Sequence, residues 1–185
     1  MAHCKGIAVL ARLKWVQHHH GDDGSRRFFE ALAPRTREVL ERRVLPHGWV
    51  PMQDFIELNV VADRLFGRGD LELCKVMGAW AAGENLPKLF RLFYRLGSPT
   101  FIFERASKLW GAHYDSGSML LTEPTETGAR LIVTDFKEPH RAHCLSVLGW
   151  SVGAIELAGS KVTSAEEERC RTWGHERCEL AVKWQ

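Results

Sequence analysis

Apolar and polar positions along the chain change period several times, and each change marks an element. Ile7, Val9, Leu13 and Trp15 alternate with Ala8, Arg12 and Lys14. That period of two predicts a strand over 6–16 with one buried face. His18 to Gly24 reads as a polar loop, and Ser25 as the cap of a helix carrying Phe28, Phe29 and Leu32. Pro34 suits the first turn of a second helix with Val39 and Leu40 inward. Pro51 opens a helix with Phe55, Leu58, Ala62 and Leu65 on one stripe, ending at Gly67. Asp70 starts the next, with Leu73, Cys74, Met77, Trp80 and Ala81 on one face and a stop at Gly83. Pro87 opens another, with Leu89, Phe90, Phe93 and Tyr94, stopped by Gly97. Ser98-Pro99 begins a helix that runs to about Trp110.

After Tyr114 the pattern turns β-like. Residues 118–123 and 129–136 flank Thr125-Glu126-Thr127-Gly128, which is hairpin chemistry. Pro139 opens a helix to about Leu157, with Leu145, Leu148, Val152 and Ile155 spaced for burial. Residues 161–171 and 177–184 read as two strands joined at Trp173-Gly174-His175. The order is strand, helices, hairpin, helix, hairpin. This predicts an α+β fold with the helices packed on one face of an antiparallel sheet. No linker divides it, so residues 1–185 are expected to form one domain.

Composition narrows the function. An apolar fraction of 45% and a charged fraction of 26% are those of a globular chain. A net charge of +2, with Arg and Lys spread out, gives no nucleic-acid stripe. No run of 18 apolar residues exists, so no membrane span is expected. Residues 1–16 lack the form of a secretory signal, and the expected location is the cytosol. Five cysteines, an odd number, argue against a disulfide framework there. Gly-x-Ser-x-Gly, Walker-type and Gly-x-Gly-x-x-Gly signatures are all missing, and a non-enzyme is expected. His143 and Cys144 are adjacent on a helix and point apart, so they make no catalytic pair.

Candidate chemistry concentrates at Cys144, Cys170 and Cys178. Two cysteines on a hairpin and one on the preceding helix could converge on a metal, and structural zinc takes four such ligands. Buried free thiols are the alternative. Spacing leaves the fourth ligand open. Glu168 shares a strand face with Cys170, and His140 shares a helix face with Cys144.

The tail Glu167-Glu168-Arg169-Cys170, followed by Gly174 and Cys178, resembles the end of the vinyl-4-reductase domain family. That family sits in one superfamily with heme-based nitric oxide sensors and vesicle-tethering subunits. The resemblance covers roughly residues 110–184. It implies a zinc site of Cys144, Glu167, Cys170 and Cys178, with Glu167 in place of Glu168, and so requires the strand to bulge there. Lys5-Gly6, Trp49-x-Pro51, Ser98-Pro99 and Gly149-Trp150 also resemble a group of short stand-alone myxobacterial proteins. Tyr114-Asp115-Ser116-Gly117-Ser118 has half of the heme sensors' Tyr-x-Ser-x-Arg motif, with serine where the arginine should be. That departure speaks against heme.

The expected function is therefore a non-catalytic, zinc-containing sensory module that binds a small apolar or aromatic ligand and signals through a protein partner. The alternative is a dimeric interaction scaffold without a ligand. Trp80, Phe93, Phe101, Phe103, Trp110 and Trp150 are the candidate pocket residues. A homodimer is expected, with the first strand as an edge that could pair.

Overall fold

In the computed structural model, which describes residues 1–85, 99–108 and 110–185, the N-terminal pattern folds differently from its alternation. Strand β1 is short, His3–Lys5, and pairs antiparallel with β2, Trp49–Pro51. Helix α1 follows at once and spans Gly6–Ala31. Its buried residues include Val9, Ala11, Arg12, Trp15 and Val16, a helical stripe. The predicted strand over 6–16 is thus a helix. The misleading residue is Arg12, which points inward and is 2% exposed. A charge assigned to the outer face leaves a period of two; placed on the inner face, it completes a period of 3.6. The edge strand expected to offer a pairing surface is gone with it.

The predicted loop over His18–Gly24 is also helical apart from Gly21, whose φ of 63° and ψ of −161° kink the axis. Ser25 lies within the helical stretch, and its hydroxyl donates to Gln17 Oε1 at 2.6 Å.

The middle of the chain follows its periodicity more closely. Helix α2 is Pro34–Glu41, α3 is Met52–Phe66 and α4 is Glu72–Asn85. Helix α4 continues through the expected stop at Gly83. The helix expected from Pro87 to Gly97 lies outside the described residues. Helix α5 is Pro99–Lys108, and α6 is the single turn Trp110–His113.

The C-terminal half builds the main sheet. Strands β3 (Ser118–Thr122), β4 (Gly128–Thr134), β5 (Val162–Arg169) and β6 (Cys178–Trp184) align in the order β3-β4-β6-β5, every pair antiparallel. Helix α7, Arg141–Leu157, connects the two hairpins. The architecture is α+β.

Helix α7 is the most buried of the described helices, and α4 lies against it backbone to backbone. A Cβ on Gly149 would sit 1.9 Å from the Lys75 carbonyl oxygen, and one on Gly78 would sit 2.3 Å from the Ser146 carbonyl oxygen. Only glycine permits so close an approach. Leu131, Leu145, Leu148, Ile155 and Leu180 join the two ends of the core, each at most 2% exposed. Burying such side chains contributes about 1.5–3 kcal/mol each. Among the described residues, no helix is long and apolar enough to cross a membrane.

Candidate functional site

Three sulfurs meet where α7 crosses the end of the β5–β6 hairpin. Helix α7 starts at His140, whose Nδ1 accepts from the Ala142 N–H at 3.1 Å and caps the helix. Cys144 sits one turn further on and faces the sheet. Cys170 directly follows β5 and precedes a 3-10 turn, Arg171–Trp173. Gly174 closes that turn with φ 87°, and Cys178 opens β6. The three Sγ atoms lie within 4.8 Å of one another, all buried. Cys144 Sγ donates to Cys178 Sγ at 3.5 Å, and the Arg171 N–H donates to the same sulfur at 3.4 Å. Hydrogen bonds from Cys144 and then Cys170 lower the Cys178 thiol, while contacts with the same sulfurs push Cys144 up. The contact favours ionisation of Cys178 over Cys144.

Glu167, on β5, lies next to Cys170 and outside the group of three sulfurs. The β5–β6 register pairs Glu167 with Leu180 but Arg169 with Glu179, so the strand bulges at Glu168. The bulge turns Glu167 inward, its side chain 2% exposed, and Glu168 outward onto Arg130 Nη2 at 2.8 Å. Burial and the neighbouring Cys170 raise the Glu167 carboxyl to about 7. Arg141 Nε opposes this with a bond to Oε2 at 3.2 Å, and Oε1 has no partner among the described residues.

Neither Glu166, whose Oε1 accepts from the Ser164 hydroxyl at 2.8 Å, nor His140, whose Nδ1 caps α7, belongs to the group of sulfurs. The structure therefore brings Cys144, Cys170 and Cys178 together with Glu167 beside them. Arg141 is a residue the sequence reading passed over. It binds Glu167, the Asp70 carbonyl at 3.0 Å and, more loosely, Glu72 at 3.6 Å.

The candidate pocket aromatics do not share one place. Trp110 packs on Tyr114 at 4.5 Å, Phe103 lies near Trp184 at 5.9 Å, and Trp80 faces His18 and His19. Phe101 is 47% exposed, Trp150 is half-buried beside Gly78, and Phe93 lies outside the described residues. Two surface clefts of about 350 Å³ run elsewhere, one along Arg169, His175 and Arg177, the other along Leu13, Val16 and Phe28. Neither is lined by those aromatics.

A second interior group lies beside the cluster. His143 is 2% exposed and enclosed by rings: Phe136 stacked at 4.5 Å, Tyr114 at 4.8 Å, Trp110 at 5.9 Å and Phe55 at 6.5 Å. Burial, then the charge of Arg12, pulls it down to about 3, so it is neutral at physiological pH.

The architecture is shared with solved structures. An H-NOX protein from S. oneidensis, described in its Fe(II)NO ligation state, superposes with a TM-score of 0.74 at 15% identity, covering 98% of this chain and 99% of that one. The chain has the H-NOX fold. An Fe(II) unliganded H-NOX protein from K. algicida matches with a TM-score of 0.66 at 13% identity, over 98% and 96% of the two chains. An oxygen-binding H-NOX domain related to soluble guanylate cyclases matches with 0.66 at 12%, over 98% and 95%. No protein-family model and no curated protein matches the chain.

These neighbours correct two expectations. The chain is not a vinyl-4-reductase domain. The tail motif that carried that resemblance is a local feature, while the likeness to H-NOX domains extends over 98% of the chain. Zinc as the cofactor is corrected as well, because the fold's solved members are described by their iron and its ligands.

Proposed function

We propose that the chain is a non-catalytic sensor domain on the H-NOX fold, with the thiol–carboxylate cluster as its responsive centre. The H-NOX architecture supports a ligand-binding sensor, and no enzyme signature competes with it. The observation that carries the reading is convergence. Cys144, Cys170 and Cys178 come from a helix and two strand ends onto one point, with an unpartnered carboxylate oxygen of Glu167 beside them. Three soft sulfurs and one carboxylate are a donor set for a thiophilic metal ion. A change at that point moves α7, β5 and β6 together. Arg141 extends it to α4. Such a change would be read by a protein partner, in a homodimer or another assembly.

The fold also implies heme, and among the described residues neither the buried histidine nor the residue at position 118 fits it. Heme iron needs an axial ligand with an open face towards the porphyrin. All nine histidines lie among the described residues, and His143 is the buried one. Phe136 stacks on its ring and Tyr114 packs against it at a steep angle. The position that would supply an arginine to the propionates is Ser118, which is exposed and bonds Thr134 at 3.0 Å. No step is derived through heme.

The test is one preparation with two readouts. Protein purified after expression with added heme precursor is examined for a Soret band and for metal content by elemental analysis. The expected result is no Soret band and a metal content that falls to background in Cys170→Ser and Cys178→Ser. Stoichiometric heme, or metal content unchanged in both variants, would reject the proposal.

A further inference from the structure

Arg12 is a buried cation with no buried anion. Its Nε donates to Asn59 Oδ1 at 2.9 Å, its Nη2 donates to the Ser146 hydroxyl, and its guanidinium lies 5.0 Å from the Phe55 ring centroid. These partners are neutral. Among the described residues no Asp or Glu pairs with it, and every Asp and Glu of the chain is described. A guanidinium taken out of water is stabilised by hydrogen bonds and an opposite charge, and the two acceptors seen among the described residues are neutral and leave its charge unpaired.

His143 leaves a matching group. Its Nε2 is buried and has no hydrogen-bond partner. His143 and Ser146 stand three residues apart on α7, hence on one face, and Arg12 binds Ser146. Both side chains also flank the same ring, Arg12 over Phe55 and His143 edge-on at 6.5 Å. A buried orphan nitrogen in a native interior signals a missing water or ion. A water would satisfy Nε2 but leave the Arg12 charge bare. An anion answers both. The rings closed around His143 limit it to a few atoms.

We propose that the interior between α1, α3 and α7 is a binding site for one small monoanion, of the size of chloride, nitrite or formate. The Arg12 guanidinium would hold it by charge and hydrogen bonds, and the Nε2–H of His143 would be its second donor. This site uses none of the three sulfurs, although His143 directly precedes Cys144 on α7.

The experiment is a titration of wild-type protein at fixed ionic strength in gluconate buffer, with chloride, nitrite and formate in separate arms. The His143 imidazole nitrogens are followed by NMR, and Tm is read in parallel. The expected result is a saturable shift of the His143 Nε2 resonance with at least one anion, and a Tm that rises with the logarithm of its concentration. Arg12→Met is expected to abolish both. The arm that responds tells a halide from an oxyanion or a carboxylate. A wild-type His143 resonance that none of the three moves, at concentrations roughly 100-fold above a millimolar Kd, overturns the proposal. A shift that persists in Arg12→Met overturns it too. Should Arg12→Met fail to fold, the wild-type titration decides alone.

Discussion

The sulfurs of Cys144 and Cys178 stand 3.5 Å apart although 34 residues separate them in the chain. Cys144 donates to Cys178, and that contact lowers the Cys178 thiol and favours its ionisation. A thiolate beside a thiol is the geometry from which an oxidant makes a disulfide. Treating metal-stripped protein with diamide should therefore yield a Cys144–Cys178-linked peptide pair on non-reducing mass mapping. Cys4 and Cys74 should remain free thiols. A link that includes either of them, or none between 144 and 178, would contradict the placement of the sulfurs.

Cys4 and Cys74 are both 0% exposed, and burial raises each thiol to about 12 from an ordinary 9.0. A raised folded-state value means that the unfolded chain ionises first. Their stabilising contribution is complete below pH 9 and is lost as pH climbs from 9 towards 12. The slope is about 1.4 kcal/mol per pH unit for each thiol. Urea midpoints measured across that range should fall more gently in the Cys4→Ala/Cys74→Ala variant than in the wild type. The variant should also be less stable at neutral pH, because it leaves two small voids. Parallel pH curves would show that these thiols are not held neutral by burial.

What the sequence disclosed and what it hid divide along physical lines. Elements whose inward face is mainly apolar, such as α3 with Phe55, Leu58 and Ala62, were readable from spacing alone. Helix α1 was not, because its inner stripe contains Arg12, and an inward cation defeats any rule that sends charge to solvent. The convergence of Cys144, Cys170 and Cys178 was visible only as a cluster late in the chain. Their meeting depends on how α7 lies across the sheet, which is a tertiary fact. Spacing pointed to Glu168 or His140, whereas the bulge at Glu168 sends Glu167 inward. Strand periodicity cannot show a bulge, since one extra residue inverts every face after it. The aromatic load suggested a pocket, yet Phe103 and Trp110 are packed into the core. His143 in its ring of aromatics was legible only as half of an adjacent His-Cys pair.

Arg141 is the bridge between the thiol cluster and α4. Its three contacts run to Glu167, the Asp70 carbonyl and Glu72. The side chain is 33% exposed, so solvent screens part of the charge. Arg141→Met keeps the packing of the stem but removes the fork. It should lower stability by about 1–2 kcal/mol, most of it from leaving the Glu167 carboxylate buried without a donor. Arg141→Lys should recover less than half of that, because one ammonium cannot reach both the carboxylate and the Asp70 carbonyl. Urea denaturation of the three proteins tests this, and full recovery by lysine would show that charge alone matters there.

The packing of α4 on α7 rests on glycine. A methyl group at residue 149 would meet the Lys75 carbonyl oxygen at 1.9 Å, and the atoms it meets are backbone, so no side chain can swing away. Relief requires the helices to separate, which loosens Met77, Leu145 and Leu148 in the core between them and around them. Overpacking of this kind costs about 1–3 kcal/mol, and backbone-on-backbone contact places Gly149→Ala at the upper end. Because α7 also carries Cys144 and Ser146, the change should reach both interior sites. The urea midpoint should fall with little change in m, and the Cys144–Cys178 cross-link should form less efficiently. A Gly149→Ala protein as stable as the wild type would mean that α4 and α7 do not touch at this point.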